Sequence, residues 1–374
     1  MKRVANNPAG LKQNLTKGVG SSIYNPKDIE ALLRADGKCP FRPVLPLLDL
    51  AIKRGHLQPS ISHTNGHAWA EVRKKMQKIF LGQSAASQFF SQQLSVCEAF
   101  TQVLGSEQER EGRVHDFRAW ACRFAAESVG KVLLGVEMGS FTSDTDSPER
   151  DGESPSHCFF TELLARKDIS EKEAVDFAEE LFIAGVESTG NALTFLMYHL
   201  AKNPVSQDKL YEDIRSCLLG DGEITLDSFK NLPYLRACMK ESMRLSPPVT
   251  GTARITRRDV TLGDYSIPSG TIVNTGSDVI CHEEAYFPKP LEFDPERWLG
   301  SRRENIPPFA YLPFGYGARM CIGRRFAEQE LMLAALLLVK EYEIRLVNPR
   351  LETNSIHKVF YAPDKVIGLV LKRR

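Results

Sequence analysis

Phe314-Gly315-Tyr316-Gly317-Ala318-Arg319-Met320-Cys321-Ile322-Gly323 is the stretch on which the reading of this 374-residue chain turns. Gly315 and Gly317 allow a tight turn and a close approach to a flat ligand where a β-carbon would collide. Arg319 brings a permanent cation close to the Cys321 thiol. Downstream, Arg324-Arg325-Phe326-Ala327-Glu328-Gln329-Glu330 is made of good helix formers, so the sulfur is predicted to face amide N–H groups at a helix N-terminus. That position favours an anion. Thiolate ligation is the chemistry such an arrangement serves.

Composition bounds the rest. With 42% hydrophobic residues the chain can bury a large core. Lys and Arg number 48 against 47 acids, so net charge points to no nucleic acid, and any electrostatic partner must be met by a local patch. The cysteines Cys39, Cys97, Cys122, Cys158, Cys217, Cys238, Cys281 and Cys321 show no CxxC spacing and read as reduced thiols of a non-secretory compartment. The longest apolar run, Leu331 to Val339, is too short to span a bilayer and reads as part of an amphipathic helix. The opening Met1-Lys2-Arg3-Val4-Ala5 carries neither a signal-peptide apolar region nor a transit helix rich in Arg and Ser.

A mainly α protein with a smaller β region (α+β), forming a single domain over residues 1–374, is expected. Residues 140–156, SFTSDTDSPERDGESPS, are almost without apolar side chains and read as a disordered linker. Helical spacing marks Gly66 to Phe80 and Asp116 to Leu134. A capping box, Ser170 with Glu173, opens a helix of about thirty residues that Asn203-Pro204 ends. Pro233 opens another, which stops at Ser246-Pro247-Pro248 because the residue before proline leaves helical geometry. Val260 to Pro268 reads as a hairpin, and Tyr342 to Val347 and Lys365 to Leu371 as strands.

Several side chains fall at spacings that matter. Glu241 and Arg244, three apart on a helix, can pair; alone, such a pair is a surface salt bridge worth a fraction of a kcal/mol. Trp69 and Arg73 share a helix face at i, i+4, as do Arg236 and Lys240. Ala184-Gly185-Val186-Glu187-Ser188-Thr189 sits inside the long helix, where glycine costs about 1 kcal/mol relative to alanine and wants a reason. By itself this run is a polar stripe on a core helix. His67 and His282 lack a second ligand at helical spacing and stay unassigned.

Together these residues resemble the cytochrome P450 family of haem-thiolate monooxygenases. The Phe, Gly, Gly, Arg, Cys and Gly of the 314–323 stretch fall at the positions of that family's cysteine loop, and Glu241 precedes Cys321 at the family's spacing with Pro295-Glu296-Arg297-Trp298 between. The resemblance implies an incomplete cytochrome P450-like fold with haem b, iron protoporphyrin IX, as cofactor. Cys321 would be its proximal ligand, donating charge that favours O–O cleavage, and Phe314, Gly315, Arg319 and Gly323 would shape the socket. Ala184, Gly185, Glu187 and Thr189 match the oxygen-activation motif, with Thr189 delivering protons and Glu187 relaying them. Trp69, Arg73, Arg254 and Arg319 would meet the two propionates, guanidinium being suited to carboxylate, although Arg254 reads equally as a surface arginine. Glu241, Arg244 and Arg297 would form a buried charge network of structural role.

Within the family the chain is most like the animal mitochondrial branch. Gly37-Lys38-Cys39-Pro40-Phe41-Arg42-Pro43 and Arg324-Arg325 match that branch, and Arg236 with Lys240 would dock a small acidic, adrenodoxin-like ferredoxin fed by its reductase; the plain alternative is a solvated basic face. The branch implies a lipophilic substrate such as a sterol, steroid or secosteroid, O2 as co-substrate, peripheral membrane contact, and the matrix side of the inner mitochondrial membrane, with the endoplasmic reticulum as alternative. The match runs from Tyr24 to the C-terminus. The family's longer N-terminal region and its substrate-access helices, expected between Gly135 and Phe159, have no counterpart. A monooxygenase is therefore set against a truncated haem-binding isoform or gene-model fragment without turnover. Thr189 and the basic face argue against a third reading, a haem-thiolate isomerase.

Overall fold

A computed structural model describes residues 20–44, 46–55, 60–82, 84–141, 158–218 and 222–374. Apart from Ser140 and Phe141, the expected linker lies outside the described residues. In chain order the regular elements begin with β1 (Ser21–Ile23), α1 (Pro26–Ala35), α2 (Pro46–Lys53) and α3 (Gly66–Phe80). They continue with α4 (Phe90–Glu111), α5 (Phe117–Leu134), α6 (Phe159–Leu164), α7 (Glu171–Lys202), α8 (Pro204–Cys217), α9 (Leu226–Lys230) and α10 (Pro233–Leu245). Next come β2 (Ala253–Ile255), β3 (Val260–Leu262), β4 (Tyr265–Ile267), β5 (Ile272–Thr275) and α11 (Ser277–Cys281). The chain closes with α12 (Arg324–Glu341), β6 (Tyr342–Leu346), β7 (Ser355–His357), β8 (Tyr361–Pro363) and β9 (Leu369–Arg373). Helices dominate and the sheets are small, as the sequence implied.

The structure comprises two compact units. The smaller comprises Met1–Arg73, Thr250–Pro288 and Ile306–Met320. Its sheet has the order β1-β5-β2, with β1 parallel and β2 antiparallel to the central strand. Arg254 stands opposite Val273 in that register. The expected hairpin is β3 paired with β4. α1 starts where Asn25 accepts from the Lys27 N–H at 2.9 Å, with Pro26 at the first helical position, where its missing N–H costs nothing.

The larger unit comprises Lys74–Val249, Lys289–Asn305 and Cys321–Arg374. α7 opens with the expected box: Ser170 Oγ accepts from the Glu173 N–H at 3.2 Å and the Glu173 carboxylate accepts from the Ser170 N–H at 2.8 Å. It runs for 32 residues and packs along α5. Packed rings fill the interior, with Phe80 stacked on Phe159 at a centroid distance of 4.2 Å and Phe326 edge-on to Phe159 at 5.0 Å. Each such buried ring contributes roughly 1.5–3 kcal/mol. Every residue from Gln329 to Val339 of α12 is buried. The amphipathic reading of this run is corrected: residues 329–339 are buried on every face within their own unit, and the exposed residues of α12 lie at its start, at Arg324 and Arg325. The last strand starts at Leu369 rather than Lys365: the Gly368 carbonyl still accepts from Val347, the residue after β6, whereas the Ile367 carbonyl accepts from Phe117. Among the described residues no helix is long and apolar enough to cross a membrane.

Candidate functional site

In the larger unit a cavity of about 150 Å³ lies among α5, α7 and the start of α12. Cys321, Ile322 and Gly323 line it together with Ala184, Gly185, Ser188 and Thr189 of α7. The predicted helix does begin at Arg324, so the exposed Cys321 thiol comes just before four amide groups that have no intrahelical acceptor. Val129, Val132, Leu133, Phe80 and Phe159 make much of the wall apolar.

Close packing of α7 on α5 depends on two glycines. A β-carbon at Gly185 would come within 2.9 Å of the Val129 side chain, and one at Gly190 within 3.0 Å of the Cys122 backbone. Gly185, expected to leave room for a bound ligand, lets the two helices approach each other as well as lining the cavity.

Thr189 is buried and its Oγ1 donates to Glu330 Oε1 at 3.1 Å. Ser188 donates back to the Ala184 carbonyl at 2.6 Å while still lining the cavity. The Glu187 carboxylate is held at 3.1 Å by Arg118 of α5, which also donates to Asn191 at 2.7 Å, and Glu187 is not part of the cavity wall. Glu187, expected to help relay protons, is thus turned toward α5 by its pairing with Arg118. Sequence reasoning missed Ser188, Ser128 and Glu330. Glu330 could have been noticed as an acid leading into the apolar run of α12. Burial raises its carboxyl to about 7, against hydrogen bonds from Ser128 and Thr189 that lower it.

The smaller unit holds the arginines. Trp69 and Arg73 are both buried on α3, and the Arg319 guanidinium lies 4.0 Å from the centre of the Trp69 ring. Arg73 donates to the Met320 carbonyl at 2.6 Å. Arg319 donates to the carbonyls of Pro40 and Thr64 at 3.1 and 2.7 Å and to Asn65 Oδ1 at 2.8 Å. Arg42 donates to the Arg319 carbonyl at 3.0 Å, so the early Pro40-Phe41-Arg42 stretch braces the turn that carries Arg319. Gly315 and Gly317, at φ of 72° and 71°, make that turn, as their left-handed geometry requires. Arg254 is buried and pairs with Asp36. Burial, then repulsion from Arg42, Arg254 and Arg73, pulls Arg319 down to about 9, with Asp36 opposing. Burial raises Asp36 even beside Arg254. Four guanidiniums against this one carboxylate leave an excess of positive charge that added carboxylates would offset.

The charge network forms in the larger unit. Glu241 is fully buried and accepts from Arg244 at 2.8 and 2.9 Å, from Arg297 at 3.0 Å, from Trp298 Nε1 at 2.9 Å and from the Asp294 N–H at 3.0 Å. Elsewhere on α10, Arg236 is exposed and Lys240 half-buried over Trp298, 5.7 Å from the ring centre. Burial, then Arg303 and Arg236, pushes the Lys240 ammonium below its ordinary value.

Among the described residues no three His, Cys, Asp or Glu side chains come together to hold a metal ion. In the larger unit, one thiol at an apolar wall suits a metal that brings its own macrocycle, and haem b fits those residues.

The family model for cytochrome P450 matches residues 149–368. The mitochondrial 1,25-dihydroxyvitamin D(3) 24-hydroxylase of Rattus norvegicus is 35% identical over 226 residues, 60% of this chain and 44% of that protein. Mitochondrial sterol 26-hydroxylase of Homo sapiens is 32% identical over 251 residues, 66% of this chain and 47% of that protein. Mitochondrial cytochrome P450 302a1 of Drosophila melanogaster is 30% identical over 383 residues, 86% of this chain and 78% of that protein. The chain thus spans less than half the length of the first two hydroxylases. A model match over more than half the chain, and 30% identity across 78% of an insect relative, show that this chain belongs to the cytochrome P450 family, whose prosthetic group is haem b held by a cysteine thiolate.

Proposed function

We propose that this chain is a haem-thiolate monooxygenase acting on a lipophilic, sterol-like substrate, with electrons delivered by a ferredoxin in the mitochondrion. The observation that carries this reading is one cavity wall shared by the Cys321 thiol and the Ala184-Gly185, Ser188 and Thr189 face of α7. Cys321 would bind the iron, and Trp69, Arg73, Arg254 and Arg319 would meet the propionates. Haem bound in this way supplies dioxygen activation, one oxygen atom entering a C–H bond and the other leaving as water as two electrons and two protons are taken up. Ser188 and Thr189 would orient groups at the oxygen-binding face, and the apolar wall would limit water. Arg236 and Lys240, with Arg303 and Arg324 near enough to lower Lys240, favour an acidic protein partner. Relatives named as mitochondrial hydroxylases of a vitamin D compound and of sterols favour the compartment and the substrate class.

A second reading, haem binding without turnover, is favoured by Ile183, 70% exposed, and its exposed neighbour Ala184 on the pocket helix. Water admitted there would divert oxygen to peroxide. The test combines two measurements. The reduced protein under carbon monoxide should show the red-shifted band of thiolate-ligated haem, and Cys321→Ser should lose it; a band kept in the variant removes Cys321 as ligand. Ferredoxin, reductase and a sterol panel should then yield hydroxylated product, whereas peroxide without product selects the second reading.

A further inference from the structure

We propose that the buried end of the cavity beside Cys321 is a dry binding site for a small apolar molecule, and that its ligand is dioxygen. Phe80, Val132, Leu133, Phe159 and Phe326, all buried, build its floor, while Cys321 and Ala184 stand at the exposed rim. Size sets the first limit. Pockets for drug-sized ligands run to roughly 300–1,000 Å³, whereas an apolar cavity of roughly 150 Å³ takes benzene or xenon. At about 150 Å³ this space suits a molecule far smaller than a sterol. Polarity sets the second limit. Thr189 and Ser128 bond to Glu330, Ser188 donates to the Ala184 carbonyl at 2.6 Å, and Gln93 accepts from Gln329 at 2.8 Å and donates to the Phe326 carbonyl at 3.4 Å. A buried water needs about two to four polar partners, and the hydroxyls, amide and carboxyl of this wall are already committed to protein groups. A molecule without a dipole loses little on leaving water and gains dispersion contacts with the packed rings and aliphatic chains. Among the reactants of a monooxygenase, dioxygen alone is both small and apolar. Its assignment therefore rests on that reading; the apolar site does not.

Xenon, a single apolar atom, is the probe. Xenon NMR of the haem-loaded full chain should show one saturable site, and crystals pressurised with xenon should place the atom against Val132 and Leu133. Val132→Phe puts a ring into the floor and should weaken xenon binding by about tenfold or more. If that variant does not fold, Val132→Ile, one methylene larger, should weaken it by about threefold. In turnover, xenon at its dissociation constant should raise the dioxygen concentration for half-maximal rate by about twofold and leave the half-saturating sterol concentration unmoved. Absence of a saturable xenon site, or equal xenon affinity in the filled variant, overturns the proposal. Bound xenon with an unmoved dioxygen dependence overturns the assignment to dioxygen. A chain that holds xenon on this floor but forms no product from any sterol overturns the monooxygenase reading and supports the apolar site, with the competition against dioxygen then read from peroxide release.

Discussion

Glu241 and Glu330 are both buried acids on helices of the larger unit, yet their surroundings set them to different work. Glu241 accepts five hydrogen bonds, three of them from the guanidiniums of Arg244 and Arg297. Glu330 meets two hydroxyls at a cavity wall. A buried carboxyl matched by cations locks structure, because either charge alone would be stranded. One matched by neutral donors keeps its proton and can exchange it. Partners, not depth, divide the roles.

The contrast breaks most severely at the network. Arg244→Met strands Glu241 without its bidentate partner and should lower unfolding free energy by roughly 3–5 kcal/mol in a denaturant titration. A loss comparable to that of a surface salt bridge would contradict a structural role for the buried network.

The next effect is a slope with pH. Glu330 in the folded chain, at about 7, lies above its ordinary 4.5, so between those values the native state holds a proton that the unfolded state has released. Stability from this group is full below pH 4.5 and is lost as pH rises to 7, by ~3 kcal/mol. Glu330→Gln should therefore gain on the wild type as pH rises through that window. Equal slopes in the two proteins would deny the raised carboxyl.

His199, beside the network, should act with the opposite sign. Burial, then Arg244, depresses it to about 3; it stacks on Phe293 with centroids 5.4 Å apart and meets Ser246 at 3.1 Å. Neutral when folded, it costs stability as pH falls below 6.5, where the unfolded chain takes up the proton, by about 1 kcal/mol per pH unit. His199→Phe, compared with wild type at neutral and mildly acid pH, measures that slope, and an acid-independent difference contradicts it. Smallest of all is the basic face, exposed and screened. Arg236→Glu with Lys240→Glu should raise the ferredoxin concentration for half-maximal rate a few-fold, more at low salt, and indifference to salt removes the docking surface.

Much of this could be read from the residue order because the signals are local. Ser170 with Glu173, Asn203-Pro204 and Ser246-Pro247-Pro248 mark helix ends through side chains and ring sterics within a few positions, and α7 and α10 follow them. The glycines at 315 and 317 announced a turn for the same reason. Neither Glu187 nor Glu330 could be placed in this way. Arg118 lies 69 residues before Glu187, and Thr189 lies 141 residues before Glu330, so no spacing rule links either pair.

Sequence by itself determined the thiol, the turn before it, the helix after it and the capped helix carrying Thr189, since short-range sterics and hydrogen bonding settle each. Tertiary structure alone decided that Glu187 answers to Arg118 while Glu330 answers to Thr189. Whether a carboxyl keeps or loses its proton depends on the solvent it gives up and the donors it meets, and both are fixed only when distant helices pack.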